Sequence, residues 1–422
     1  MQSGRQPGSA LELVTIGTEL LLGFTVDTNG AQIARAMAAV GIEVVRRTSV
    51  SDRPEEIRSA VEEALVRTGV VLTTGGLGPT RDDISKKVVA DLFGVPLDFD
   101  EDVWRQLVER FARIGRTPAA SNRSQAEVPR GAAVLRNRWG TAPGLWLEGA
   151  AGVVIMLPGV PGEMRKLLEH EVVPRLAARS SGIVTRSRQV RTTGIPESTL
   201  AERMGNIERD IAPLTLAYLP GLDGVDLRVS AWQLSPEIAD ERLAAACHLL
   251  IARGGEHVYG EGDADLAELV LAAARGRGVK IATAESCTGG LVGARLTEVP
   301  GSSDAYVGGV VAYANDLKIQ ALGVDPATIA AHGAVSEQVA TAMARGALER
   351  LGADVAISVT GIAGPGGGSD EKPVGTVWFG VAYGTDVTAR RSLFPGSRHD
   401  IRARAAQAAL HLLLRRLQTE QP

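Results

Sequence analysis

Apolar runs and helical stretches alternate along the N-terminal part of the chain. Apolar runs at Leu11–Ile16, Glu43–Val50 and Val70–Thr74 have the length and composition of strands. A helical stretch after Asn29 and a helix opened by Pro54 separate them. This βαβαβ order predicts a mostly parallel sheet covered by helices. Because ligands bind beyond the carboxyl ends of such strands, we expect a site in the loops that follow them.

The same domain is predicted to continue through two more strands and a helix. The strands are Gly144–Leu147 and Val153–Leu157, and the helix runs from Pro161 to about Ala178. Ser180-Ser181-Gly182 then breaks the helical pattern and marks a boundary. We therefore predict a first α/β domain over residues 10–180.

Residues 183–258 show a different pattern and predict a small α+β connector domain. It contains a strand at Gln189–Thr193, a helix opened by Pro196 and a helix that ends near Gly254. Between them, two alternating runs lie on either side of Gly221–Gly224. The segment has no dense cluster of polar residues, so a connecting or dimerising role is favoured over catalysis.

A second α/β domain is predicted over residues 263–418, after the linker-like Gly260–Asp263. Strand-like runs alternate here with helical patterns, and a long helix closes the domain. The predicted elements are strands at Lys280–Thr283, Tyr306–Ala314, Asp354–Val359 and Val374–Val381, and the helix Asp400–Leu417.

Composition narrows the class of protein. At about 150 residues per domain, 422 residues suggest three domains. The 45 basic and 49 acidic residues give a net charge of −4, which disfavours non-specific binding to nucleic acid. Cys247 and Cys287 are the only cysteines, so a disulfide framework is excluded and a cytoplasmic location is expected. No apolar run approaches the ~20 residues of a membrane span, so we expect no membrane association.

The loop Thr73–Asp83 carries the strongest chemical signal of the first domain. Its glycine-rich turn follows a buried strand and precedes a helix, an arrangement that presents backbone amides to a phosphate. Asp82 and Asp83 then fit two roles equally well. They can cap the following helix, or they can bind a divalent cation beside the phosphates.

Other strand ends of this domain supply further polar groups. Gly17-Thr18-Glu19 follows the first strand and Ser51-Asp52 follows the second. Asp27-Thr28-Asn29 enters a helix, and either Asp27 or Asn29 fits its N-cap. A pocket at the shared edge is therefore expected.

In the second α/β domain, polar loops again follow predicted strands. Ser302-Ser303, Tyr313 and Lys318 suggest a serine nucleophile activated by a base, since a desolvated lysine can accept a proton. The ordinary alternatives are turn-forming serines, a core tyrosine and a surface lysine. Cys287 has no histidine near it in sequence, so we expect a small buried residue there.

The run TTGGLGPTRDD, with GTELLLG, DTN, GTAPG and LPGVPGEM around it, resembles the molybdopterin-binding-like domain of the CinA family of competence/damage-inducible proteins. The resemblance implies a metal-dependent pyrophosphatase acting on ADP-ribose, with Mg²⁺, Mn²⁺ or Co²⁺ as cofactor. It implies substrate contacts at Gly75, Gly76, Gly78, Thr80 and Asn29. It also implies metal-binding roles for Asp52, Asp82 and Asp83, with Asp83 also catalytic.

The runs AESCTGG, PGSS, VVAYANDLK, HGAVSE, GIAGPGGGSDEKPVGTVWFG and FPGSR resemble the CinA C-terminal domain. The resemblance implies a nicotinamide mononucleotide amidohydrolase that needs no cofactor. Ser303 would then be the nucleophile, with Ser302 as its rival, and Tyr313 and Lys318 would activate it. The implied substrate or oxyanion contacts are Ser286, Thr288, Gly289, Gly290, Gly361 and Gly364.

These signals lead to one expectation and two alternatives. We expect a homodimeric enzyme of pyridine-nucleotide salvage that acts on nicotinamide mononucleotide and ADP-ribose. One alternative is a molybdopterin-binding protein of cofactor assembly. The other is a non-enzymatic interaction protein of DNA uptake or DNA damage, which the near-neutral charge disfavours.

Overall fold

The structure is a computed structural model that describes residues 10–178 and 182–419. The chain forms two compact units. The first comprises the described residues through Arg186 together with Ser230–Arg242, and the second comprises Ser187–Val229 together with the described residues from Leu243 onward. Ser180-Ser181, where a boundary was predicted, lies outside the described residues. No helix within the described ranges is long and apolar enough to cross a bilayer.

Strands and helices alternate through the first α/β domain. A 3-10 stretch at Ala120–Ala126 precedes β5, and a π turn at Leu168–Val172 joins α6 to α7. The elements are β1 (Ala10–Ile16), α1 (Thr18–Leu21), α2 (Thr28–Ala39), β2 (Glu43–Val50), α3 (Pro54–Thr68), β3 (Val70–Thr74), α4 (Ser85–Phe93), β4 (Leu97–Phe99), α5 (Glu101–Arg113), β5 (Glu127–Pro129), β6 (Ala133–Leu135), β7 (Gly144–Gly149), β8 (Gly152–Leu157), α6 (Pro161–Leu167) and α7 (Val173–Ala177).

The first sheet has the strand order β2-β1-β3-β8-β7-β6. Strands β2, β1, β3 and β8 are parallel, and β7 is antiparallel to both of its neighbours, β8 and β6, so the predicted mostly parallel sheet is confirmed. Every residue of β1 is buried, because Leu11 and Leu13 pack into one apolar cluster and Val14 and Ile16 into another. Both faces of β1 are therefore covered by apolar side chains.

The middle segment forms a second sheet with the order β10-β11-β9-β12. The strand β12 includes Gly260 and Glu261, which were predicted to be part of a linker. They pair with β9 because the preceding Tyr259 is buried and holds the segment against the core. The elements are β9 (Val184–Thr192), α8 (Glu197–Met204), α9 (Ile207–Asp210), β10 (Thr215–Pro220), β11 (Val225–Leu234), α10 (Pro236–Gly254) and β12 (Val258–Glu261).

The C-terminal domain is built on a sheet with the order β14-β13-β15-β16-β17. Strand β13 is parallel to β14 and β15, whereas β16 is antiparallel to β15 and β17. The elements are α11 (Leu266–Arg277), β13 (Ile281–Glu285), α12 (Leu291–Glu298), β14 (Tyr306–Val311), α13 (Asn315–Leu322), α14 (Pro326–His332), α15 (Glu337–Leu351), β15 (Val355–Gly361), β16 (Thr376–Tyr383), β17 (Asp386–Leu393) and α16 (Arg398–Gln418).

A buried carboxylate connects the central strand β13 to helix α12. Glu285, the last residue of β13, is 2% exposed. Its Oε2 accepts hydrogen bonds from the amides of Gly290 (2.9 Å) and Val292 (3.1 Å), and its Oε1 accepts one from Gly293 (2.8 Å). The carboxylate therefore satisfies the free amides at the start of the helix, and its charge suits the positive end of the helix dipole.

Glu285→Ala should lower the free energy of unfolding by about 2–4 kcal/mol, because amides at the start of α12 lose a charged acceptor. Urea unfolding measures the change. Glu298→Ala, an exposed position in the last turn of the same helix, is the control and should change stability by less than about 0.5 kcal/mol. Equal effects of the two substitutions would show that the cap contributes nothing.

Candidate functional site

The loops after β1, β2, β3 and β8 meet at one edge of the first sheet, as parallel pairing requires. Ile16 pairs with Val50, and Thr74 pairs with Leu157, so these strands end level with one another. Asp52 lies just beyond β2. Its Oδ2 accepts hydrogen bonds from the amide (2.8 Å) and hydroxyl (2.9 Å) of Thr18, which ties the loop after β2 to the loop after β1.

The glycine-rich loop approaches its neighbours too closely for side chains. A Cβ on Gly75 would lie 2.2 Å from the Ile16 carbonyl oxygen, and one on Gly76 would lie 2.0 Å from the Ser85 hydroxyl. Both residues have positive φ, 111° and 68°. The Gly75 amide donates to the Leu157 carbonyl (3.0 Å). It is therefore not free to donate to a pyrophosphate, the role that was expected of it. Within the described chain, the amides of Gly76 and Gly78 have no acceptor.

The two adjacent aspartates do not cap helix α4. The N-cap of α4 is Ile84, and no side chain caps this helix, so the capping alternative is wrong. Instead, Asp83 Oδ2 accepts hydrogen bonds from the amide (2.8 Å) and hydroxyl (2.5 Å) of Thr80. Thr80, expected to contact substrate, therefore holds Asp83 in place within the loop.

Asn29 links the end of β3 to the loop after β8 at the same edge of the sheet. Its Nδ2 donates to the Thr74 hydroxyl (3.1 Å) and to the Gly159 carbonyl (2.8 Å). Its Oδ1 is buried without a hydrogen-bond partner in the described chain. Asp27 is the N-cap of α2, since its side chain accepts from the Gly30 amide. Asn29 is thus free of the capping role and leaves one unsatisfied acceptor at the edge.

The expected metal ligands fit a cation only in part. Across residues 10–178 and 182–419, no three His, Cys, Asp or Glu side chains gather as a metal site. Asp52 is engaged with Thr18 and does not join Asp82 and Asp83 in such a group. Mg²⁺ is, however, commonly bound by one or two carboxylates together with substrate phosphates. The Asp82–Asp83 pair beside the unpaired Gly76 and Gly78 amides fits that mode of binding.

A buried lysine near Asp82 and Asp83 was not predicted from the sequence. Lys86, in the first turn of α4, is buried, and its Nζ donates to the Ser124 carbonyl. Burial lowers the pKa of Lys86 to about 8, although the nearby charges of Glu127 and Asp83 oppose this shift. The sequence Lys86-Lys87 at a helix start is typical of solvated lysines, so nothing in it distinguished the buried one.

A cavity of about 180 Å³ lies at the carboxyl ends of β13 and β15. Of the residues expected in the C-terminal site, Ser286, Tyr313, Lys318 and Gly361 line it. Lys318 is the most buried of these, at 1% exposure. The structure thus brings together four of the expected residues.

Lys318 lies in this cavity without a counter-charge. Its Nζ donates to the carbonyl groups of Ala312 (3.0 Å) and Tyr313 (3.3 Å), and it forms no salt bridge within the described chain. Burial lowers the pKa of Lys318 below its ordinary value. A lysine in these surroundings loses its proton at lower pH than a surface lysine does, and the neutral amine can then accept a proton.

Arg398 also lines the cavity, and sequence analysis gave it no role. Its Nη2 donates to the Tyr313 hydroxyl (2.7 Å) and its Nη1 to the Gly364 carbonyl (2.7 Å). Arg398 belongs to the FPGSR motif, but nothing in that motif indicates that its arginine reaches a cavity. The remaining guanidinium N–H groups can bind an anion.

Ser303 does not line the cavity. Ser302–Asp304 form a 3-10 turn just before β14, at the end of the strand where Ile281 pairs with Tyr306. Tyr313 follows the other end of β14. At a rise of about 3.3 Å per residue, the two edges are roughly 20 Å apart. Ser303 and its rival Ser302 are therefore not assembled with Tyr313 and Lys318 within one chain.

The loop after β13 differs from the expected oxyanion site. The Gly289 amide donates to the Ser286 carbonyl (3.1 Å) and the Gly290 amide to Glu285, so neither is free to bind substrate. Thr288 is fully buried, and its carbonyl accepts from Arg402 (2.8 Å). By contrast, the amides of Ala363 and Gly364 have no acceptor in the described part of the chain. They are the better candidates for stabilising an oxyanion.

Cys287 lines the cavity but is unsuited to nucleophilic attack. It is buried, as expected, and burial raises the pKa of its thiol to about 12. A thiol with so high a pKa stays protonated and unreactive.

Comparison with known proteins divides the chain into three matched segments. Residues 12–178 match the family model "Probable molybdopterin binding domain". Residues 187–260 match "Damage-inducible protein CinA KH domain", and residues 263–417 match "CinA C-terminal domain".

Similar proteins extend over nearly the whole chain. A CinA-like protein of Gemmatimonas aurantiaca is 53% identical over 409 residues, covering 96% of each protein. A CinA-like protein of Chloroherpeton thalassium is 44% identical over 95% of this chain and 98% of its own length. The crystal structure of competence/damage inducible protein CihA from Agrobacterium tumefaciens is 42% identical and covers 37% of this chain and 97% of that protein, with a TM-score of 0.36. The chain therefore belongs to the CinA family, with a molybdopterin-binding-like α/β domain at its N-terminus and a CinA C-terminal domain at its end.

Proposed function

We propose that the C-terminal cavity hydrolyses the carboxamide of nicotinamide mononucleotide to nicotinic acid mononucleotide and ammonia. The observation that carries this proposal is Lys318, a buried amine that faces the cavity and has no salt bridge among the described residues. An uncompensated buried lysine is costly for stability, and such groups are typical of sites that need a base.

The reaction proceeds through a serine ester. A serine hydroxyl attacks the carboxamide carbon, and its proton passes to the neutral Lys318 amine. The carbon–nitrogen bond then breaks, and the lysine returns the proton to the leaving ammonia. Water hydrolyses the ester to release the acid and restore the serine hydroxyl. The free amides of Ala363 and Gly364 would stabilise the negative oxygen formed in each step.

Arg398 suits the 5′-phosphate of the substrate. Two of its N–H groups position Tyr313 and the Gly364 loop, which leaves others for a phosphate oxygen. Because Arg398 and Lys318 line the same small cavity, the phosphate would lie at the Arg398 guanidinium and the carboxamide near the neutral Lys318 amine.

Lys318→Met should reduce kcat for ammonia release at least 100-fold, the usual contribution of a general base. In the unaltered chain, the rate should rise with pH as Lys318 loses its proton and level off below the ordinary lysine pKa, because burial lowers the pKa in the folded protein. Rates measured across pH test both points. Lys166→Met, at a half-buried lysine of helix α6 in the N-terminal domain, is the control. A pH profile that survives Lys318→Met would remove this residue from the chemistry.

Arg398→Gln should raise KM for nicotinamide mononucleotide about tenfold or more, since a charged hydrogen bond to phosphate is lost. Nicotinamide riboside, which lacks the phosphate, should be hydrolysed equally by both proteins. Steady-state kinetics with the two substrates make the comparison. An equal loss on both substrates would assign Arg398 to positioning Tyr313 rather than to the phosphate.

We further propose that the N-terminal sheet edge hydrolyses the pyrophosphate of ADP-ribose. The Gly76 and Gly78 amides would hold the phosphates, and Asp82 with Asp83 would share a divalent cation with them. The cation would neutralise the pyrophosphate and polarise its oxygens. Lys86 adds a positive charge beside Asp83. A pterin-binding role in cofactor assembly is the alternative for this edge.

Asp83→Ala should reduce metal-dependent ADP-ribose hydrolysis at least 100-fold, because one of the two carboxylates proposed to hold the cation is lost. Phosphate-ester products measured by chromatography give the rate. Glu63→Ala, an exposed carboxylate on α3, should retain full activity. Undiminished hydrolysis by Asp83→Ala, or none by the unaltered folded chain, would favour the pterin-binding alternative.

A cytoplasmic location is part of this proposal. Both cysteines are unpaired and buried, as in proteins of a reducing compartment.

A further inference from the structure

We infer that a cavity lined by arginines at the edge of the N-terminal sheet binds a phosphate group on the adenosine ribose of the nucleotide, so that a phosphorylated ADP-ribose is a further substrate. The position of the nucleotide rests on the proposed pyrophosphate hydrolysis, whereas the anion site rests on the cavity itself. The cavity has a volume of about 250 Å³ and lies between helix α5 and the loop that joins β6 to β7. We call it the arginine cavity, because Arg110, Arg113, Arg136 and Arg138 line it.

The charge of the arginine cavity is not compensated by the protein. Among the described residues, four arginines and a single carboxylate, that of Glu109, line it. The side chains of Arg113, Arg136 and Arg138 make no hydrogen bond or salt bridge within residues 10–178 and 182–419. Positive charges held close together repel one another, so an anion among them stabilises the arrangement. Arg113 also suits the negative end of the α5 dipole, but Arg136 and Arg138 lie in a loop and have no such partner.

The loop that carries these two arginines is wound around Asn137. The Oδ1 atom of Asn137 accepts hydrogen bonds from the amides of Trp139 (2.9 Å) and Gly140 (2.7 Å). Its Nδ2 atom donates to the Ala142 carbonyl (2.8 Å) and to Glu163 Oε2 (2.6 Å). All polar atoms of the Asn137 side chain are thus used to shape the loop.

Helix α5 fixes the same loop from the other side of the cavity. The guanidinium of Arg110 donates to the carbonyl groups of Arg138 (3.0 Å) and Trp139. The Trp139 ring in turn stacks on His170, with the ring centroids 4.9 Å apart. The backbone beneath Arg136 and Arg138 is therefore ordered in advance, which lowers the entropy lost when an anion binds.

The arginine cavity lies at the same sheet edge as the candidate pyrophosphate site. Strand β7 is antiparallel to both β6 and β8, so β6 runs in the direction of β8 and β3. Arg136 therefore follows the carboxyl end of β6, as Gly75 follows that of β3. Strands β8 and β7 lie between β3 and β6, which places the two strand ends about 14 Å apart.

A series of contacts joins the two positions on one face of the sheet. Helices α4 and α5 both pack on the apolar cluster of that face. Lys86, near the start of α4, donates to the Ser124 carbonyl, and the adjacent Gln125 donates to the Thr141 hydroxyl (3.4 Å). Thr141 lines the arginine cavity. One extended ligand can therefore run along this face from the glycine-rich loop to the arginines.

The groups of the cavity select the chemistry of the ligand. Arginine binds phosphate through paired N–H groups, and a phosphate monoester carries the charge that several unpaired arginines require. ADP-ribose itself has no charge beyond its pyrophosphate. A phosphate on the 2′ or 3′ oxygen of its adenosine ribose is one sugar ring away from the pyrophosphate, and the long arginine side chains would bridge the rest of the distance.

The reaction on this substrate is the proposed one. Water attacks a phosphorus of the pyrophosphate, the bridging phosphorus–oxygen bond breaks, and the products are ribose 5-phosphate and an adenosine bisphosphate. The phosphate held by the arginines serves for binding only and is not removed.

Calorimetric titration of the full-length chain measures the preference. Adenosine 2′,5′-bisphosphate and adenosine 3′,5′-bisphosphate are each compared with AMP, which lacks the second phosphate. One of the two should bind at least tenfold more tightly than AMP, because charged hydrogen bonds to phosphate are gained. The isomer that shows the preference identifies the ribose oxygen. No preference for either bisphosphate would overturn the inference.

A double variant, Arg136→Gln with Arg138→Gln, assigns the preference to the cavity. Both arginines are exposed, so the substitutions should leave the fold intact, and the ratio of the two affinities should fall close to one. Arg116→Gln removes a nearby charge that does not line the cavity and should keep the ratio of the unaltered chain. An unchanged ratio in the double variant, or an equal fall in Arg116→Gln, would contradict the inference.

Kinetic measurements distinguish this site from the proposed function. With Mg²⁺ present, ADP-ribose phosphorylated at the preferred oxygen should have a kcat/KM at least tenfold above that of ADP-ribose, and the double variant should lose this advantage. Hydrolysis of ADP-ribose without such an advantage would overturn the inference and leave the proposed function standing. Hydrolysis of neither compound, with arginine-dependent binding of the bisphosphate retained, would reject only the proposed function.

Discussion

Parallel pairing of β13 with β14 and β15 determines where every group of the C-terminal site can lie. Parallel strands end at the same edge, so Ser286, Tyr313 and Gly361 meet there although they are far apart in sequence. The same pairing sends a residue that precedes β14 to the opposite edge. The N-terminal sheet obeys this rule through β1, β2, β3 and β8, whose loops gather the glycine-rich turn and the aspartates.

Two ionisable side chains, Glu285 and Lys318, are buried at this C-terminal edge, and their hydrogen-bond partners differ. Glu285 accepts three amide hydrogen bonds at the start of α12 and so holds the strand to the helix. Lys318 has only two carbonyl groups, and no carboxylate pairs with it in the described chain, so its ammonium form is disfavoured. The first arrangement is structural. The second leaves an amine poised to accept a proton, which is the basis of the proposed chemistry.

The sequence predicted the sheets well, because buried parallel strands such as β1 and β3 are continuous apolar runs bounded by helices. It missed β17, whose charged residues at an exposed sheet edge give no apolar run. It also missed Lys86 and Arg398, because burial of a charged side chain is set by its tertiary neighbours. The amides of Gly75, Gly289 and Gly290, expected to bind substrate, donate instead to acceptors within the protein. A glycine-rich pattern predicts a turn but not the acceptors that its amides find.

The spacing of Ser303, Tyr313 and Lys318 along the chain did not reveal that Ser303 lies apart from the other two residues in the fold. Six residues of extended strand lie between Ser303 and Tyr313, which places Ser303 at the opposite edge of the sheet from the cavity. The most direct test of the account is ammonia release from nicotinamide mononucleotide by the purified full-length chain, with and without a metal chelator. We expect release at the same rate in both conditions, since Lys318 and a serine supply the chemistry. No release by the folded chain, or release that the chelator abolishes, would contradict it.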